Sequence, residues 1–388
     1  MNICFITYSF YESDPRIRRV AESLALRGDK VDVICLRRKG MMKRDYLDGV
    51  NVYRIQQRQI NERNPVDYLK KLLSFFLLSS FMVTKLFLSK RYNLIHVASE
   101  PDFEVFSTFI PKLFGAKVIL DIHELVPEIY ARKFNLNENY IVVKILKWVE
   151  KISCKFADHV ITVTDIWKNT LTKRSIPESK CTVLLNLPDP RVFKAKNSIT
   201  KFDNFTIVCR GVFSEPYGLD IAIRALDIIR QEIPSVKLEI MGEGCQNPLL
   251  KLVTDLKLEG CVHFNKITSV YELAAIMQQA DMGIDPRRDG IYAGETLSAI
   301  IFELMTMGIP VVISRTKASK KYFNESIVMF FEPDNCHDLA RCVIELHNNP
   351  QRRQKLVKNG DRFIKKHNWE GYRKIYCDLV DTLCSKVN

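Results

Sequence analysis

Two glutamates flank the start of a predicted helix in the second half of the sequence, in a segment typical of strand end, loop, helix and strand. Glu295 precedes this helix, Glu303 lies within it on a nearby face, and Gly308 is suited to end it. Free main-chain N–H groups at a helix start can bind a diphosphate, and carboxylates accept strong hydrogen bonds from sugar or ribose hydroxyls. The segment therefore predicts a site for a phosphorylated, hydroxyl-rich ligand. The residues at its helix start are Thr296, Leu297 and Ser298, with Thr296 or Ser298 as the N-cap.

This segment belongs to an alternation of short β-branched runs and helical patterns that continues along most of the chain. Such alternation is typical of doubly wound parallel sheets, so the predicted fold class is α/β. The pattern breaks after Leu187-Pro188-Asp189-Pro190, where a polar run predicts a linker at 191–204. Residues 1–190 and 205–368 would each form one domain, with ligands bound in a cleft between the carboxyl ends of the two sheets. The predicted strands are Ile3–Tyr8, Lys30–Leu36, Leu94–Ala98, Lys117–Leu120, His159–Val163 and Thr182–Leu185, then Phe205–Cys209, Lys237–Met241, Cys261–Phe264, Asp281–Ile284, Pro310–Ile313 and Ile327–Phe331.

The charge of the chain is distributed unevenly. The 388 residues carry a net charge of +13, from 58 Lys and Arg against 45 Asp and Glu. Residues 1–200 contain 33 basic and 21 acidic residues, whereas residues 201–388 contain 25 and 24. The first half is therefore expected to face an anionic partner, either nucleic acid or a membrane surface. The hydrophobic content of 47% and the charged content of 27% exclude a largely disordered chain.

An apolar run at Leu72–Thr84 lies within the basic half, between Lys71 and Lys85. Its 13 residues are fewer than the roughly 20 that a transmembrane helix needs, so a membrane span is not expected. Two interpretations remain open. The run is either a buried crossover helix on the sheet or an interfacial helix with its lysines near lipid headgroups. The basic residues concerned are Lys70, Lys71, Lys85, Lys90 and Arg91.

The eleven cysteines are scattered, without a Cys-x-x-Cys pair. They are expected to be reduced core residues rather than zinc ligands or disulfides. The segment Asn2–Tyr8 has the pattern of a strand and lacks the features of a signal peptide. The sequence thus predicts a cytoplasmic protein with no metal site and no cofactor.

The spacing Glu295-x7-Glu303, followed by Gly308-Ile309-Pro310-Val311-Val312, resembles the signature of the family-four retaining glycosyltransferases, which have the GT-B fold. The resemblance extends over nearly the whole chain. Its other parts are Ser13–Ala21, Gly49–Ile55, Leu94–His96, Asp121–Glu128, Gly218–Asp220, Met241–Gly244, Ala280–Asp281, Trp369–Glu370 and Tyr376.

The resemblance implies transfer of a sugar from a nucleoside diphosphate to an acceptor hydroxyl, with retention at the anomeric carbon and without a metal. Glu295 would contact the donor sugar and Glu303 the ribose, while His123 would lie on the donor-sugar side of the cleft. Gly242 and Gly244 would let the main chain approach the nucleotide. The fold implied is two Rossmann-like domains, with a final helix at about 369–388 that completes the first. We expect a lipid-linked glycan or surface polysaccharide as acceptor, and a location on the inner face of the cell membrane.

The chain departs from the family at its phosphate clamp. Registered on Gly218-Leu219-Asp220, Val212 stands where the family has arginine, and Tyr217 stands where it has lysine. The resemblance still implies that Gly211 and Tyr217 lie on the donor-binding side. Since the leaving diphosphate needs cationic stabilisation, other arginines are expected to substitute. The candidates are Arg16, Arg287, Arg288 and Arg210, the last of which is out of register and expected to point to the other side of its strand.

Several alternatives stay open at this stage. Asp121 and Glu124 could contact an acceptor or could cap a helix or turn. The missing clamp also allows a catalytically inactive relative that acts as a binding or partner subunit. A nucleic-acid-binding protein agrees with the basic first half, but no recognition motif supports it, and nucleic acid is not expected as a partner.

Overall fold

The computed structural model describes residues 1–58, 65–134, 136–137, 139–195, 204–266, 269–290 and 293–385. The chain divides into an N-terminal unit, Met1–Leu185 with Tyr372–Asn388, and a C-terminal unit, Asn186–Gly371. Most of the predicted linker, residues 196–203, lies outside the described residues. Each unit is built on one mainly parallel sheet covered by helices, which confirms the predicted α/β, doubly wound fold class.

The N-terminal unit contains an eight-stranded sheet in the order β3-β4-β2-β1-β5-β6-β7-β8. All neighbours are parallel except the β3–β4 pair, which is antiparallel. The strand order reverses direction between β1 and β5. The strands are β1 (Asn2–Ile6), β2 (Lys30–Arg37), β3 (Arg44–Leu47), β4 (Val50–Gln57), β5 (Leu94–Ala98), β6 (Lys117–Ile122), β7 (His159–Thr162) and β8 (Cys181–Val183). The helices are α1 (Pro15–Leu26), α2 (Pro65–Lys90), α3 (Phe109–Leu113), α4 (Val126–Lys133), α5 (Ile141–Phe156), α6 (Asp165–Arg174) and, from Tyr372 onward, α14 (Trp369–Ser385).

Local sequence explains why α1 begins and ends where it does. Asp14 accepts a hydrogen bond from the main-chain N–H of Ile17, and Pro15 occupies the first helical position. Gly28, with φ of 97°, provides the left-handed conformation after the last turn. The chain then enters β2, whose six central residues are all buried. A continuous buried run of this kind is typical of a parallel strand covered on both faces.

The C-terminal unit contains a six-stranded parallel sheet in the order β11-β10-β9-β12-β13-β14. The order reverses between β9 and β12, so a ligand site is expected at the carboxyl ends of these two strands. The strands are β9 (Thr206–Arg210), β10 (Lys237–Met241), β11 (Val262–Asn265), β12 (Met282–Asp285), β13 (Val311–Ser314) and β14 (Met329–Phe331). The helices are α7 (Leu219–Glu232), α8 (Asn247–Asp255), α9 (Val270–Gln278), α10 (Ala299–Met307), α11 (Lys317–Tyr322), α12 (Cys336–Asn348) and α13 (Pro350–Lys366).

The apolar run in the first half forms part of α2, which is 26 residues long and therefore exceeds the predicted 13-residue run. Over Val66–Lys90 this helix is long and apolar enough to cross a membrane by length and composition, and only 28% of its most apolar window is buried. The premise of a short apolar run is therefore wrong, whereas the expectation that the helix does not span a membrane stays a prediction. One side of α2 packs on β4 and on the 3₁₀ turn at Asp102–Thr108, with Phe75 against Tyr8 at 5.1 Å between ring centroids.

Beneath α2, the carboxyl group of Glu104 is fully buried and accepts a hydrogen bond from the hydroxyl of Ser79. Burial raises the pKa of Glu104 to about 8. The folded state therefore binds a proton that the unfolded chain releases near pH 4.5, and stability falls as the pH rises from about 4.5 to about 8. Between pH of about 5.5 and about 8.5, we expect Glu104→Gln to retain roughly 2–3 kcal/mol of unfolding free energy that the wild type loses.

Urea unfolding at the two pH values measures this difference. Tryptophan fluorescence is a suitable signal because Trp148 and Trp167 both lie in the N-terminal unit. Glu178→Gln is the matched control, since its side chain is 82% exposed. An equal pH dependence in the wild type and Glu104→Gln would contradict a protonated Glu104.

Candidate active site

The C-terminal unit places charged side chains where its strand order reverses. β9 ends at Arg210 and β12 ends at Asp285, and the loop after β12 leads to the start of α10. The carboxyl ends of strands at such a reversal form the usual ligand site of a doubly wound sheet. The two glutamates identified in the sequence belong to this region, since Glu295 precedes α10 and Glu303 lies within it.

Arg287 lies at the centre of this region. Its Nη1 donates to the hydroxyl of Thr296 at 2.8 Å, and its Nη2 donates to the hydroxyl of Ser298 at 3.2 Å. The guanidinium stacks over the ring of Tyr217, 5.0 Å from the ring centroid. Its Nε forms an ion pair with Oδ1 of Asp285 at 3.4 Å, without the geometry of a hydrogen bond. Arg287 is thus oriented by two hydroxyls, an aromatic ring and one long ion pair, whereas Arg210 and Arg288 each form a two-point pair with a carboxylate. Its charge is therefore less compensated than theirs, and it can bind an anion.

The first turn of α10 lies beside this arginine. Ser298 occupies the N-cap position, as predicted, but its side chain makes no capping hydrogen bond. Its hydroxyl instead accepts the hydrogen bond from Arg287. The first N–H groups of a helix have no intrahelical acceptor and carry partial positive charge. The start of α10 and Arg287 together therefore offer two kinds of donor to one anionic group.

Both glutamates of the predicted motif are paired with cations. Glu303 forms a two-point ion pair with Arg210, at 2.7 Å between Oε2 and Nη1 and 3.1 Å between Oε1 and Nη2. The register of Arg210 predicted that its side chain points to the other side of the strand. This prediction is wrong, because the side chain reaches Glu303 in the site. Glu295 accepts from Nζ of Lys317 at 2.5 Å. Each carboxylate retains further lone pairs for ligand hydroxyls, since a carboxylate has about four acceptor positions.

Asp285 supplies a third carboxylate, which is buried at the end of β12. Burial raises its pKa, while the nearby charge of Arg287 opposes that increase. Its Oδ1 has no hydrogen-bond partner in the described part of the chain. An incoming ligand hydroxyl or water would satisfy this atom, which supports a ligand site here.

Two of the predicted phosphate cations are engaged elsewhere. Arg288 donates to both carboxylate oxygens of Asp220, at 2.9 and 2.8 Å, and pairs with Asp334 at 2.7 Å. It therefore joins the loop after β12 to the start of α7. Arg16 belongs to the N-terminal unit, where its side chain is 6% exposed and is bound to Asp121. Both guanidinium groups are therefore held by carboxylates of their own unit, and their role toward a diphosphate stays a prediction.

Glycines allow the loops after β9 and β10 to approach each other. A Cβ on Gly242 would lie 2.0 Å from the carbonyl oxygen of Gly211, and Gly244 has a φ of 126°. Phe213 donates its N–H to the carbonyl of Glu243 at 2.8 Å across these loops. The close approach of the two loops therefore requires glycine at position 242, independently of any contact with a nucleotide.

In the N-terminal unit, Asp121 is the centre of a buried polar cluster near the carboxyl end of β6. Both of its oxygens accept from Arg16 at 2.8 Å, and Oδ2 also accepts from Nε2 of His123 at 3.0 Å and of His96 at 3.3 Å. Although burial alone would raise the pKa of Asp121, Arg16 and His123 hold it well below its usual range. The carboxylate is fully buried, so it positions other side chains and does not contact an acceptor directly.

This cluster sets the tautomers of both histidines. A carboxylate has no proton to donate, so Nε2 of His123 and of His96 must each carry the shared hydrogen. Burial lowers the pKa of His96, which leaves this ring neutral at pH 7. Its Nδ1 then accepts from the hydroxyl of Tyr376 on α14, at 2.9 Å. His123 remains partly exposed, and its Nδ1 is left as a potential acceptor for a ligand hydroxyl.

Glu124 follows β6, the strand that contains Asp121, and shares a hydrogen bond with Glu100. Burial and the charge of Glu124 raise the pKa of Glu100 to about 8. This pair therefore holds one proton at neutral pH. The pair sits where β5 and β6 end, at an edge where ligand hydroxyls are expected.

Sequence reasoning missed two of these residues, Lys317 and Glu100, and the role of a third. Lys317 follows β13, the neighbour of β12, and its position after a strand end was the available signal. Glu100 follows β5 in the same way. The role of Arg210 as a partner of Glu303 had no sequence signal, because the two residues are 93 positions apart.

Comparison with known proteins identifies the family of the chain. The family model described as Glycosyltransferase Family 4 matches residues 16–191, and the model described as Glycosyl transferases group 1 matches residues 192–363. An uncharacterised glycosyltransferase from Haemophilus influenzae is 25% identical over 243 residues, which cover 61% of this chain and 63% of that protein. The aligned segment thus spans less than two thirds of this curated relative.

Solved structures resemble the chain over almost its full length. A sucrose-phosphate synthase from Thermosynechococcus elongatus has a TM-score of 0.81 and 17% identity, with 100% of both chains covered. Anabaena HepE, solved in complex with UDP and glucose, has a TM-score of 0.75 and 15% identity, covering 98% of this chain and 100% of that one. These likenesses confirm the expected GT-B class of fold. With family models matching 16–191 and 192–363, the chain belongs to the family-four, group 1 glycosyltransferases.

Proposed function

We propose that the protein transfers a sugar from a nucleoside-diphosphate sugar to an acceptor hydroxyl, with retention at the anomeric carbon and without a metal. The observation that carries this proposal is the position of Arg287 beside the first turn of α10, with Thr296 and Ser298 as its hydrogen-bond partners. This arrangement fits the charge of a diphosphate. The complex of Anabaena HepE with UDP and glucose supports the same class of donor.

The proposed roles follow from the surroundings of each side chain. Arg287 and the α10 N-terminus stabilise the leaving diphosphate, in place of the family residues replaced by Val212 and Tyr217. Glu303, oriented by Arg210, accepts from ribose hydroxyls. Glu295, oriented by Lys317, accepts from hydroxyls of the donor sugar, and His123 offers Nδ1 on the donor-sugar side.

In the proposed reaction, the bond between the anomeric carbon and the diphosphate oxygen breaks as the acceptor oxygen bonds to the same face of the sugar. The acceptor proton passes to the departing diphosphate, so no protein nucleophile is required. The contribution of the enzyme is electrostatic stabilisation of the diphosphate and orientation of the two substrates.

We also propose that the acceptor is a lipid-linked glycan or surface polysaccharide, and that the protein works at the cytoplasmic face of the membrane. Support comes from the charge distribution, since the basic excess lies in the first 200 residues. An acceptor carrying a lipid diphosphate would be attracted by this half of the chain.

Titration calorimetry with UDP, GDP and ADP, followed by transfer assays with the matching sugar donors and lipid-linked acceptors, tests the proposal. We expect one nucleoside diphosphate to bind and Glu303→Ala to weaken that binding roughly tenfold or more, because a charge-assisted hydrogen bond to the ribose is lost. Transfer should continue in EDTA, and the product should keep the anomeric configuration of the donor. Failure to bind any nucleotide would instead indicate the inactive, partner-type relative.

A further inference from the structure

One side of α2 presents large apolar side chains to solvent. Leu69, Leu73, Leu77, Phe81 and Leu88 are spaced by four, four, four and seven residues, which places them on one face of the helix. Each is between 47% and 67% exposed. The opposite face is buried in the unit, through Leu72, Phe75, Val83 and Phe87. An exposed apolar stripe of this length is unusual for a soluble surface and indicates an interaction site.

The elements that pack beside α2, directly or through one 3₁₀ turn, also expose apolar side chains. α3 packs against α2, and the 3₁₀ turn before it packs against both α2 and α5. Four exposed apolar residues of this region lie within six positions of the chain: Phe109, Ile110, Leu113 and Phe114. On α5, Ile141, Ile145 and Trp148 are exposed at a helical spacing of four and three. These side chains of α2, α3 and α5 are called the apolar face below.

Basic residues accompany the apolar face. Lys70 and Lys85 are exposed on α2, and Lys144, Lys151 and Lys155 are exposed on α5. The acidic residue within α5, Glu150, is buried and paired with Arg174. In α2, Asp67 is the acidic residue of the first turn. The charge next to the apolar face is therefore predominantly positive.

We propose that the apolar face is a membrane-binding surface, which seats the N-terminal unit on a bilayer containing anionic lipids. Apolar side chains inserted among acyl chains, together with lysines at headgroup level, are the features of an interfacial protein surface. A nucleic-acid partner would match the lysines but would leave the leucines and phenylalanines exposed to water. The membrane location proposed above rests on charge alone. The inference adds the surface that makes the contact, and it concerns binding and not sugar transfer.

The protein binds the bilayer from one side and α2 does not span it. The buried face of α2 packs on the sheet, and Ser79 in its middle donates to the buried carboxyl of Glu104. A spanning helix would expose this polar contact to lipid and would remove Phe75 from its contact with Tyr8. The buried face of α2 agrees with the interpretation of a helix packed on the sheet, and the proposal assigns the interfacial role to its opposite face.

Flotation of the full chain with phosphatidylcholine vesicles, and with vesicles of equal parts phosphatidylcholine and phosphatidylglycerol, tests the proposal. We expect binding to the anionic vesicles that weakens as salt is raised. The double substitution Leu77→Glu with Phe81→Glu should lower the bound fraction about tenfold or more, because charges replace inserted apolar groups. Tyr271→Glu is the matched control, since Tyr271 is an equally exposed apolar residue of the C-terminal unit.

Trp148 provides a second measurement that identifies the surface itself. Its ring is 61% exposed, so insertion should shift its emission to the blue and allow quenching by brominated lipids. Trp148→Phe should abolish this signal.

Equal recovery on neutral and anionic vesicles, or binding without quenching of Trp148, would overturn the proposal. So would a dimer that is dissociated by the Leu77→Glu, Phe81→Glu substitutions, because the apolar face would then bind a second copy. Nucleotide binding by the double variant checks that its C-terminal unit is intact. If the wild type itself binds no nucleotide, that result contradicts the proposed function and leaves this inference unaffected.

Discussion

Replacement of Arg287 by alanine is expected to lower kcat for sugar transfer by about 100- to 1000-fold. Loss of one preorganised donor to a developing negative charge costs roughly 2.7–4 kcal/mol of transition-state stabilisation. The nearby Arg210 is paired with Glu303, and Arg288 is paired with Asp220, so neither compensates. The donor KM should change less, by under about fivefold, because Glu295 and Glu303 still bind hydroxyls that are present in both ground and transition states.

Arg288→Ala is the matched control, since it removes an adjacent arginine that binds Asp220 and Asp334. We expect a small loss of stability and a kcat within about twofold of the wild type, because these partly exposed ion pairs contribute little to the reaction. An unchanged kcat in Arg287→Ala, or a similar loss in both variants, would contradict the special role of Arg287.

A rescue experiment tests whether Arg287 acts by its charge, which another position could supply, or is required for another reason. Val212 is exposed in the loop after β9, so arginine can be accommodated there. Val212→Arg in the Arg287→Ala background restores the charge at the position that the family uses. We expect it to recover at least part of kcat. Arg287→Lys should lie between the two, because it keeps the charge but loses the planar fork that binds Thr296 and Ser298.

The fold was predicted well where burial leaves a pattern in the sequence. All six strands of the C-terminal sheet match predicted strands to within two residues. The central strands β9, β12 and β13 are mostly buried apolar runs, as expected of parallel strands covered on both faces. The β3–β4 hairpin was not predicted. β3 consists of Arg44–Leu47, with alternately exposed and half-buried side chains, so its short sequence carries no apolar run.

The sequence predicted where the residues of the candidate site lie along the chain, but it did not predict which side chains contact each other. Glu295, Glu303 and the start of α10 could be located because strand, loop and helix follow one another in sequence. The partners of these groups could not, since Lys317 is 22 residues from Glu295 and Arg210 is 93 residues from Glu303. In the N-terminal unit, Arg16 and Asp121 are 105 residues apart. Which arginine remains available to a phosphate depends on these long-range pairs, and local sequence does not specify them.

The second large effect is expected for Asp121→Asn, which should destabilise the N-terminal unit by about 3–5 kcal/mol, the cost of leaving a buried partner charge uncompensated. The amide nitrogen would also face donors, because Arg16, His96 and His123 all donate to this carboxylate. The pKa of Asp121 lies well below its usual range, so the group is ionised in both states above about pH 5. Its contribution should therefore be equal at neutral and mildly alkaline pH, unlike that of Glu104, and should be lost only in strong acid.

Thermal unfolding and a double-mutant cycle measure this effect. In the Arg16→Met background, the charge that Asp121 compensates is gone, so Asp121→Asn should cost markedly less than in the wild type. Additive losses from the two substitutions would contradict the buried ion pair.

A separate readout tests whether Asp121 also positions His123 for the reaction. At low temperature, where Asp121→Asn remains folded, we still expect a transfer rate about tenfold lower or more, because His123 loses the acceptor that fixes its tautomer and ring orientation. In the His123→Ala background, the same substitution should change the rate little, since its effect acts through the missing ring. A rate loss that disappears once the variant is folded would show that Asp121 serves stability alone. Tyr376→Phe, which removes the hydroxyl bound to His96 on the far side of the cluster, should produce a smaller change in the same direction.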